Sequence, residues 1–135
     1  MTSPFVVLHT SVLYLIAFLL VLWLYVAHTT RLSADAAAQS AAAAAASQVP
    51  HDWGCDPLHP DLIGQGQLDA YRAVQARLNQ GSVKPKSITV TADGCNIAAT
   101  VVVGALSSKW SGLEHTAVAC SAPGQDGPLA VVGQC

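Results

Sequence analysis

The sequence predicts an α+β protein in which a long N-terminal transmembrane helix continues into an alanine-rich helix, before a second short helix and a small antiparallel sheet of three to four strands. Three patterns support this prediction. An apolar stretch lies near the N-terminus, a run of alanines follows it directly, and apolar and polar residues alternate around an Asp-Gly pair further on. We therefore divide the chain into an anchor at 1–28, an alanine-rich helical extension at 29–49 and a disulfide-bearing domain at 50–135.

The composition excludes two classes of protein. The chain has 135 residues, of which 52% are hydrophobic and 10% charged, and a net charge of −2. An ordinary soluble domain has about 25% charged residues. A nucleic-acid-binding protein needs a basic face, and a disordered chain needs a high net charge with few apolar residues. We expect neither.

The apolar stretch from Phe5 to Val26 contains no Asp, Glu, Lys or Arg. It has the length of about 20 residues that a helix needs to cross a bilayer, so membrane lipid is its expected partner. Phe5, Leu13, Leu20 and Val26 mark the predicted span. A cleaved signal peptide is the rival interpretation, with Ala34-Asp35-Ala36 as its cleavage site. No basic residue precedes the stretch, however, and the stretch is longer than a signal peptide requires.

The alanine-rich segment from Ala34 to Ala46 has high helix propensity, and no Gly or Pro interrupts it before Pro50. One helix is therefore predicted to run from the span to about Ser47. Small side chains allow close packing against a sheet or against neighbouring helices, although the segment could also be a plain helical spacer. The face predicted to take part in assembly comprises Ala34, Ala37, Ala38, Ala41 and Ala45.

Prolines and glycines between Gln48 and Gly66 predict a loop, and a second helix is predicted from Gln67 to Asn79. Its apolar face is expected to comprise Leu68, Tyr71, Val74 and Leu78.

A hairpin is predicted around Asp93-Gly94, which is typical of a two-residue turn. This turn would place Ala92 opposite Cys95 and Val90 opposite Ile97, with the apolar residues of both strands on one face. A third strand is predicted at 115–122 and a short fourth strand at 129–132.

The four cysteines are Cys55, Cys95, Cys120 and Cys135, and all follow the span. Their even number and wide spacing favour disulfides, with three connectivities open. Cys120 lies on the face of the third strand that could meet Cys95. Because disulfides form in oxidising compartments, we expect an extracytoplasmic C-terminal domain and a cytoplasmic N-terminus.

Metal binding and catalysis are not expected. His51, Cys55 and His59 have an HxxxCxxxH spacing, but the prolines at 50, 57 and 60 prevent the helix that would align them. The chain contains no phosphate-binding loop, dinucleotide-binding fingerprint, nucleophile elbow or HExxH motif. We therefore expect no enzyme, cofactor or small-molecule substrate.

The order of segments resembles TadE/TadG-like proteins, the minor pilins or pseudopilins of tight-adherence (Flp-type) pili, in their alanine-rich actinobacterial form. The likeness covers about 13–124. It is carried by RLSADAAAQSAAAAAA after the span, then AYRAVQARLNQG, SITVTADG, CNIAATVVVGAL and HTAVACSAPG. It implies a non-enzymatic structural role, with other pilin-like subunits or the pilus assembly platform as partners.

Two features depart from this resemblance. Pilin-like members often have a Gly at a prepilin-peptidase site and a Glu early in the apolar segment, whereas the first glycine here is Gly54 and the span has no carboxylate. Two alternative functions are a membrane-tethered binding module that uses the sheet or the loop around Trp110, and a secreted domain released by cleavage after Ala36.

Overall fold

A computed structural model of the chain describes residues 4–50, 52–79, 83–105, 114–122 and 131–132. The elements are α1 (Pro4–Ala46), α2 (Pro60–Leu78), β1 (Val83–Asp93), β2 (Asn96–Ala105), β3 (Glu114–Ser121) and β4 (Val131–Val132). The strands form one antiparallel sheet in the order β1-β2-β3-β4. The predicted α+β fold, with a long N-terminal helix, a second helix and a small antiparallel sheet, is confirmed.

Helix α1 is a single unbroken helix of 43 residues, about 65 Å long at 1.5 Å per residue. Pro4 lies in the first turn, where a missing N–H breaks no hydrogen bond. At the other end, the amides of Gln48 and Val49 donate to the carbonyls of Ala45 and Ala46 at 3.2 and 3.1 Å. Pro50 then prevents further helix. The predicted continuous rod is thus confirmed, and it ends one residue before Ser47.

The core lies between the two helices and one face of the sheet. Helix α1 packs over β2 and β3, and α2 packs over β1. The sheet contributes most of the larger aliphatic side chains and α1 contributes alanines, so the backbone of α1 approaches the sheet closely. The sheet residues of this core are Val83, Ile88, Val90, Ile97, Ala99, Val101, Val103, Ala117 and Ala119.

Helix α2 begins seven residues earlier than predicted, at Pro60 instead of Gln67. Proline is favoured at the first helical position because its fixed φ suits the helix and its missing N–H would be unpaired there. The predicted apolar face is also partly wrong. Val74 and Leu78 are buried, but Leu68 and Tyr71 are exposed. The helix is rotated so that its small residues, including Gly66 and Ala70, face α1 and the core.

The β1–β2 hairpin is confirmed, but its turn lies one residue later than predicted. Gly94 and Cys95 form the two-residue turn, and Ala92 pairs with Ile97 instead of Cys95. Gly94 has a φ of +57°, as the first position of a type II′ turn requires. The shift changes each pairing by two residues, so the apolar sets still share one face.

The remaining strands differ little from prediction. Strand β3 occupies Glu114–Ser121 instead of 115–122, and β4 is described at Val131–Val132, whereas Leu129 and Ala130 lie outside the described residues. Strand β1 is an edge strand and is longer than its apolar alternation indicated. It contains Pro85 and an irregularity between Pro85 and Ser87, features that sheet edges tolerate.

Candidate membrane anchor

None of the described residues covers the N-terminal half of α1. Of the four residues that mark the predicted span, Phe5 is 79% exposed, Leu13 61% and Leu20 54%, whereas Val26 is half-buried. Every residue from Phe5 to Tyr25 is exposed. The most apolar window of the helix has a mean hydropathy of 2.5 and is 0% buried. Among the described residues, α1 alone is long and apolar enough to cross a membrane.

The exposed apolar side chains surround the helix. Successive residues of an α-helix point about 100° apart, so the unbroken run from Val12 to Tyr25 presents apolar groups in every direction. A helix of a soluble domain normally has one polar face. Among the described residues, this half of α1 has neither a polar face nor a buried one, so its surface suits an apolar environment such as a bilayer.

Hydroxyl groups inside the exposed half are paired with the helix's own backbone. Thr10 Oγ1 lies 3.0 Å from the carbonyl oxygens of both Val6 and Val7, and Ser11 Oγ donates to the Val7 carbonyl at 2.8 Å. An unpaired hydroxyl in hydrocarbon would cost several kcal/mol. Because these donors are satisfied within the helix, Thr10 and Ser11 are compatible with a lipid environment.

The domain begins about one helical turn after Val26. Thr30 is the first buried residue of α1, at 2% exposed, and its hydroxyl donates to the Val26 carbonyl at 2.7 Å. Ser33 makes the equivalent bond to Thr29 at 2.8 Å. Sequence reasoning did not single out this junction. The signal that could have identified it is the cluster of Thr and Ser directly after the apolar run, since such side chains readily bond the carbonyl four residues earlier.

The alanine face of α1 is buried within its own chain. Four of the five predicted residues are 0% exposed and the fifth is 2% exposed: Ala34, Ala37, Ala38, Ala41 and Ala45. Helix α2 and strands β2 and β3 cover this part of α1. Of the packing alternatives, the sheet and the chain's own second helix therefore occupy the face. It is not available to another subunit while the domain is folded, which corrects its assignment as an assembly surface.

One disulfide joins Cys55 to Cys95, with Cα atoms 4.6 Å apart and a sequence separation of 40. It ties the loop between the helices to the β1–β2 turn. Cys55 has a φ of +63°, an uncommon conformation for a residue other than glycine. The expectation of a disulfide is confirmed for this pair, and Cys95 is therefore not joined to Cys120.

Cys120 is also disulfide-bonded, whereas Cys135 lies outside the described residues. Cys120 is 6% exposed and pairs with Ala98 across β2 and β3. Its neighbours along the strand, Ala119 and Ser121, are on the face that packs against the helices, so Cys120 points to the opposite face.

The HxxxCxxxH segment is only partly described, because His51 lies outside the described residues. Cys55 is held in the disulfide, so its sulfur is not a free thiolate for a metal. In the described ranges, no three His, Cys, Asp or Glu side chains converge as metal ligands. Trp110, at the centre of the proposed ligand loop, also lies outside the described residues.

Two surface clefts lie at the C-terminal end of α2, one beside β1 and the other beside α1. One, of about 240 Å³, is lined by residues of α2 and β1, including Leu78 and Lys84. The other, of about 210 Å³, is lined by residues of α1 and α2, including Leu32 and Arg77. The C-terminal end of α2 therefore lies next to the part of α1 at which the domain begins.

No protein-family model, curated protein or solved structure matches this chain. Its function is therefore inferred from the exposed apolar helix, the buried alanine face and the disulfide.

Proposed function

We propose that the protein is a single-pass membrane protein and a structural, non-enzymatic component of a tight-adherence (Flp-type) pilus or a related secretion assembly, similar to a TadE-like minor pilin. In this proposal the N-terminus is cytoplasmic and the α+β domain lies on the extracytoplasmic side. The observation that carries the proposal is the uncovered apolar half of α1, which continues without a break into the core of the domain.

The dimensions of this half suit a bilayer. The segment from Phe5 to Val26 has 22 residues, and at 1.5 Å per residue it is about 33 Å long. The hydrocarbon core of a bilayer is about 30 Å thick. The first buried residue, Thr30, follows within about one turn, so the domain would lie directly on the membrane surface.

The orientation is supported by the Cys55–Cys95 disulfide. Stable disulfides are typical of oxidising compartments and rare in the cytoplasm. Since both cysteines follow the span, the domain belongs on the oxidising side. The positive-inside rule weakly favours the opposite orientation, with the domain in the cytoplasm, because Arg31 follows the span and is the only Arg or Lys within its flanks. We give the disulfide more weight, since one arginine is a small bias.

The pilin-like role is supported by the division of α1 into an exposed apolar half and a buried alanine-rich half. A subunit that moves from a membrane into a filament needs an apolar helix that lipid covers before assembly and that other helices cover afterwards. The exposed residues of the span meet this need, whereas the alanine face is occupied by the chain's own core. Contacts with other subunits are therefore proposed along the span, around residues such as Leu13 and Leu20.

The release alternative fits the structure less well. Ala36 lies in the middle of the continuous helix, between the buried residues Ala34 and Ala37. Signal cleavage would precede folding, so the released domain would have to form its core without the first part of this helix. The mature chain would also lose Thr30 and Ala34 from the packed junction.

The proposal is tested by orientation and by cross-linking in cells. An alkaline phosphatase fused to the C-terminus should be active, and inactivity of a stably expressed fusion would contradict the orientation. A photoreactive amino acid at Leu13 should yield protein adducts with pilin-like subunits or the assembly platform. Leu68, exposed on α2, provides the matched control position. Adducts with lipid alone at Leu13 would support the anchor and contradict the role in assembly.

A further inference from the structure

Charged residues are divided between the two ends of the domain. Helix α2 runs antiparallel to α1, because Gly66 lies against Ala45 while Arg77 lines a cleft with Leu32 and Ala36. The end near Leu32 is therefore the end at which the span leaves the domain. Four basic residues belong to this end: Arg31, Arg77, Lys84 and Lys86. Three aspartates precede or begin α2 toward the far end: Asp52, Asp56 and Asp61.

Three of these basic residues belong to segments that meet at this end of the domain. Arg77 and Leu78 line the cleft beside Leu32, and Leu78 and Lys84 line the adjoining cleft between α2 and β1. Arg31 directly precedes Leu32 on α1. These contacts place Arg31, Arg77 and Lys84 around one end of the domain, although 46 residues separate Arg31 from Arg77 in the sequence.

The same three residues are available for a ligand. All three are exposed, and none has a carboxylate within 4.0 Å among the described residues. Among the described residues, the other charges at this end are engaged with each other. Lys86 pairs with Glu114, and Asp35 lies 3.9 Å from His115. An exposed surface with three unpaired cations therefore remains.

The rise of α1 per residue gives the distance of this surface from the end of the span. Arg31 follows Val26 by five residues, or about 7.5 Å of helix, and Leu32 to Ala36 lie at about 9–15 Å. The headgroup layer on each side of a bilayer adds about 5–8 Å beyond the hydrocarbon. With the reach of an Arg side chain and a Debye length near 10 Å at 0.1 M salt, Arg31 and Arg77 would be within electrostatic range of the headgroups when the span lies in a bilayer. Lys84 lines the cleft that adjoins that of Arg77 through Leu78.

We propose that Arg31, Arg77 and Lys84 form a basic rim that binds the headgroups of anionic phospholipids where α1 leaves the membrane. This inference rests on the proposed function in one respect, since it requires the span to lie in a bilayer. The guanidinium groups can each donate two hydrogen bonds to a headgroup phosphate, and the Lys84 ammonium adds a point charge. Lipid is favoured over an acidic protein because the span places these cations at the bilayer surface in every copy of the chain.

The three cations lie on α1, α2 and β1, so lipid binding would act on the whole domain. It would hold the α2 side of the domain against the membrane and limit rotation around α1. The acidic end would then face away from an anionic surface, and repulsion would reinforce the same orientation.

The test uses the full chain in detergent, with lipid binding followed by native mass spectrometry. Phosphatidylglycerol should bind more tightly than phosphatidylcholine. Replacing all three residues, Arg31→Gln, Arg77→Gln and Lys84→Gln, should weaken phosphatidylglycerol binding on the order of 10²-fold, at roughly fivefold per cation. Arg72→Gln is the matched control, because Arg72 lies on α2 and is paired with Asp69 at 3.2 Å. The Arg31→Lys and Arg77→Lys variant should retain most of the affinity.

Equal binding of the two lipids, or equal loss in the Arg72→Gln control, would overturn the basic rim. Retention in the membrane fraction after alkaline extraction separates this result from the proposed anchor. A chain that resists extraction but shows no lipid preference would contradict the rim and leave the anchor intact. A chain that is extracted but still prefers phosphatidylglycerol would contradict the anchor and, with it, the position of the rim at the membrane.

Discussion

Gly66 of α2 lies directly against Ala45 of α1. A methyl group placed on Gly66 would meet the Ala45 Cβ and its backbone oxygen at 3.5 Å, which is ordinary van der Waals contact. The two helices are therefore as close as an alanine allows and closer than a larger side chain would permit. This contact explains why a segment with two glycines is helical, since tertiary packing offsets its low propensity.

Substitutions at Gly66 should distinguish the effect of helix propensity on the free energy of unfolding from the effect of packing. We expect Gly66→Ala to raise the free energy of unfolding by about 0.5–1 kcal/mol, because the methyl group fits and alanine favours the helix. Gly66→Leu should lower it by about 1–3 kcal/mol through overpacking. A methyl group placed on Gly64 would have no neighbouring atom within 4 Å, so Gly64→Leu is the matched control and should not destabilise. Denaturant unfolding of the full chain in detergent measures each effect.

The alanine face of α1 should be equally intolerant of bulk. Ala41 is 0% exposed, and Ala41→Leu is expected to reduce stability by about 1–3 kcal/mol because the added atoms displace the sheet or α2. Ala76 of α2 is exposed, and the same change there should alter stability by less than about 0.5 kcal/mol. Thermal unfolding followed by circular dichroism compares the two variants. Equal stability of both would show that α1 does not pack as described.

The Cys55–Cys95 disulfide should contribute substantially to stability. It closes a loop with a sequence separation of 40, and loops of this size are stabilised by about 2–4 kcal/mol on cross-linking. Replacing both cysteines with serine should remove that amount in denaturant unfolding without reductant. Peptide mapping of the oxidised chain should find Cys55 linked to Cys95, and a Cys95–Cys120 peptide would contradict the structure.

Charges in the middle of the span should prevent membrane retention. Arg at the centre of a transmembrane helix raises its apparent insertion free energy by about 2.5–3.5 kcal/mol, so Ile16→Arg together with Leu20→Arg should oppose insertion by about 5–7 kcal/mol. We expect this variant to appear in the alkaline-soluble fraction, whereas Ile16→Ala with Leu20→Ala remains in the pellet. Retention of the arginine variant would argue against a span at this position.

Local signals predicted α1 and the hairpin well. The hydropathy of 5–26, the propensity of the alanine run and the alternation on both sides of Gly94 each depend on neighbouring residues only. The position of the turn was one residue in error because Asp93-Gly94 and Gly94-Cys95 both keep the apolar residues of the two strands on one face. Alternation alone therefore cannot distinguish the two registers.

Tertiary contacts determined what the sequence did not predict. The early start and the rotation of α2 follow from Gly66 and Ala70 packing on α1, while Leu68 and Tyr71 remain exposed. The pairing of Cys55 with Cys95 depends on where the loop crosses the sheet, since sequence spacing allowed three connectivities. Arg77 lies beside Leu32 because the two helices are antiparallel.

Because α1 is unbroken, a change in the tilt of the span moves the domain as well. Single spans commonly tilt by about 20°, and the helix from Val26 to Ala46 extends about 30 Å beyond the span. With no kink to absorb the change, a tilt of this size within the bilayer would carry the far end of the domain about 10 Å sideways. Any contact that changes the angle of the span would thus displace the end of the domain that contains the Cys55–Cys95 disulfide.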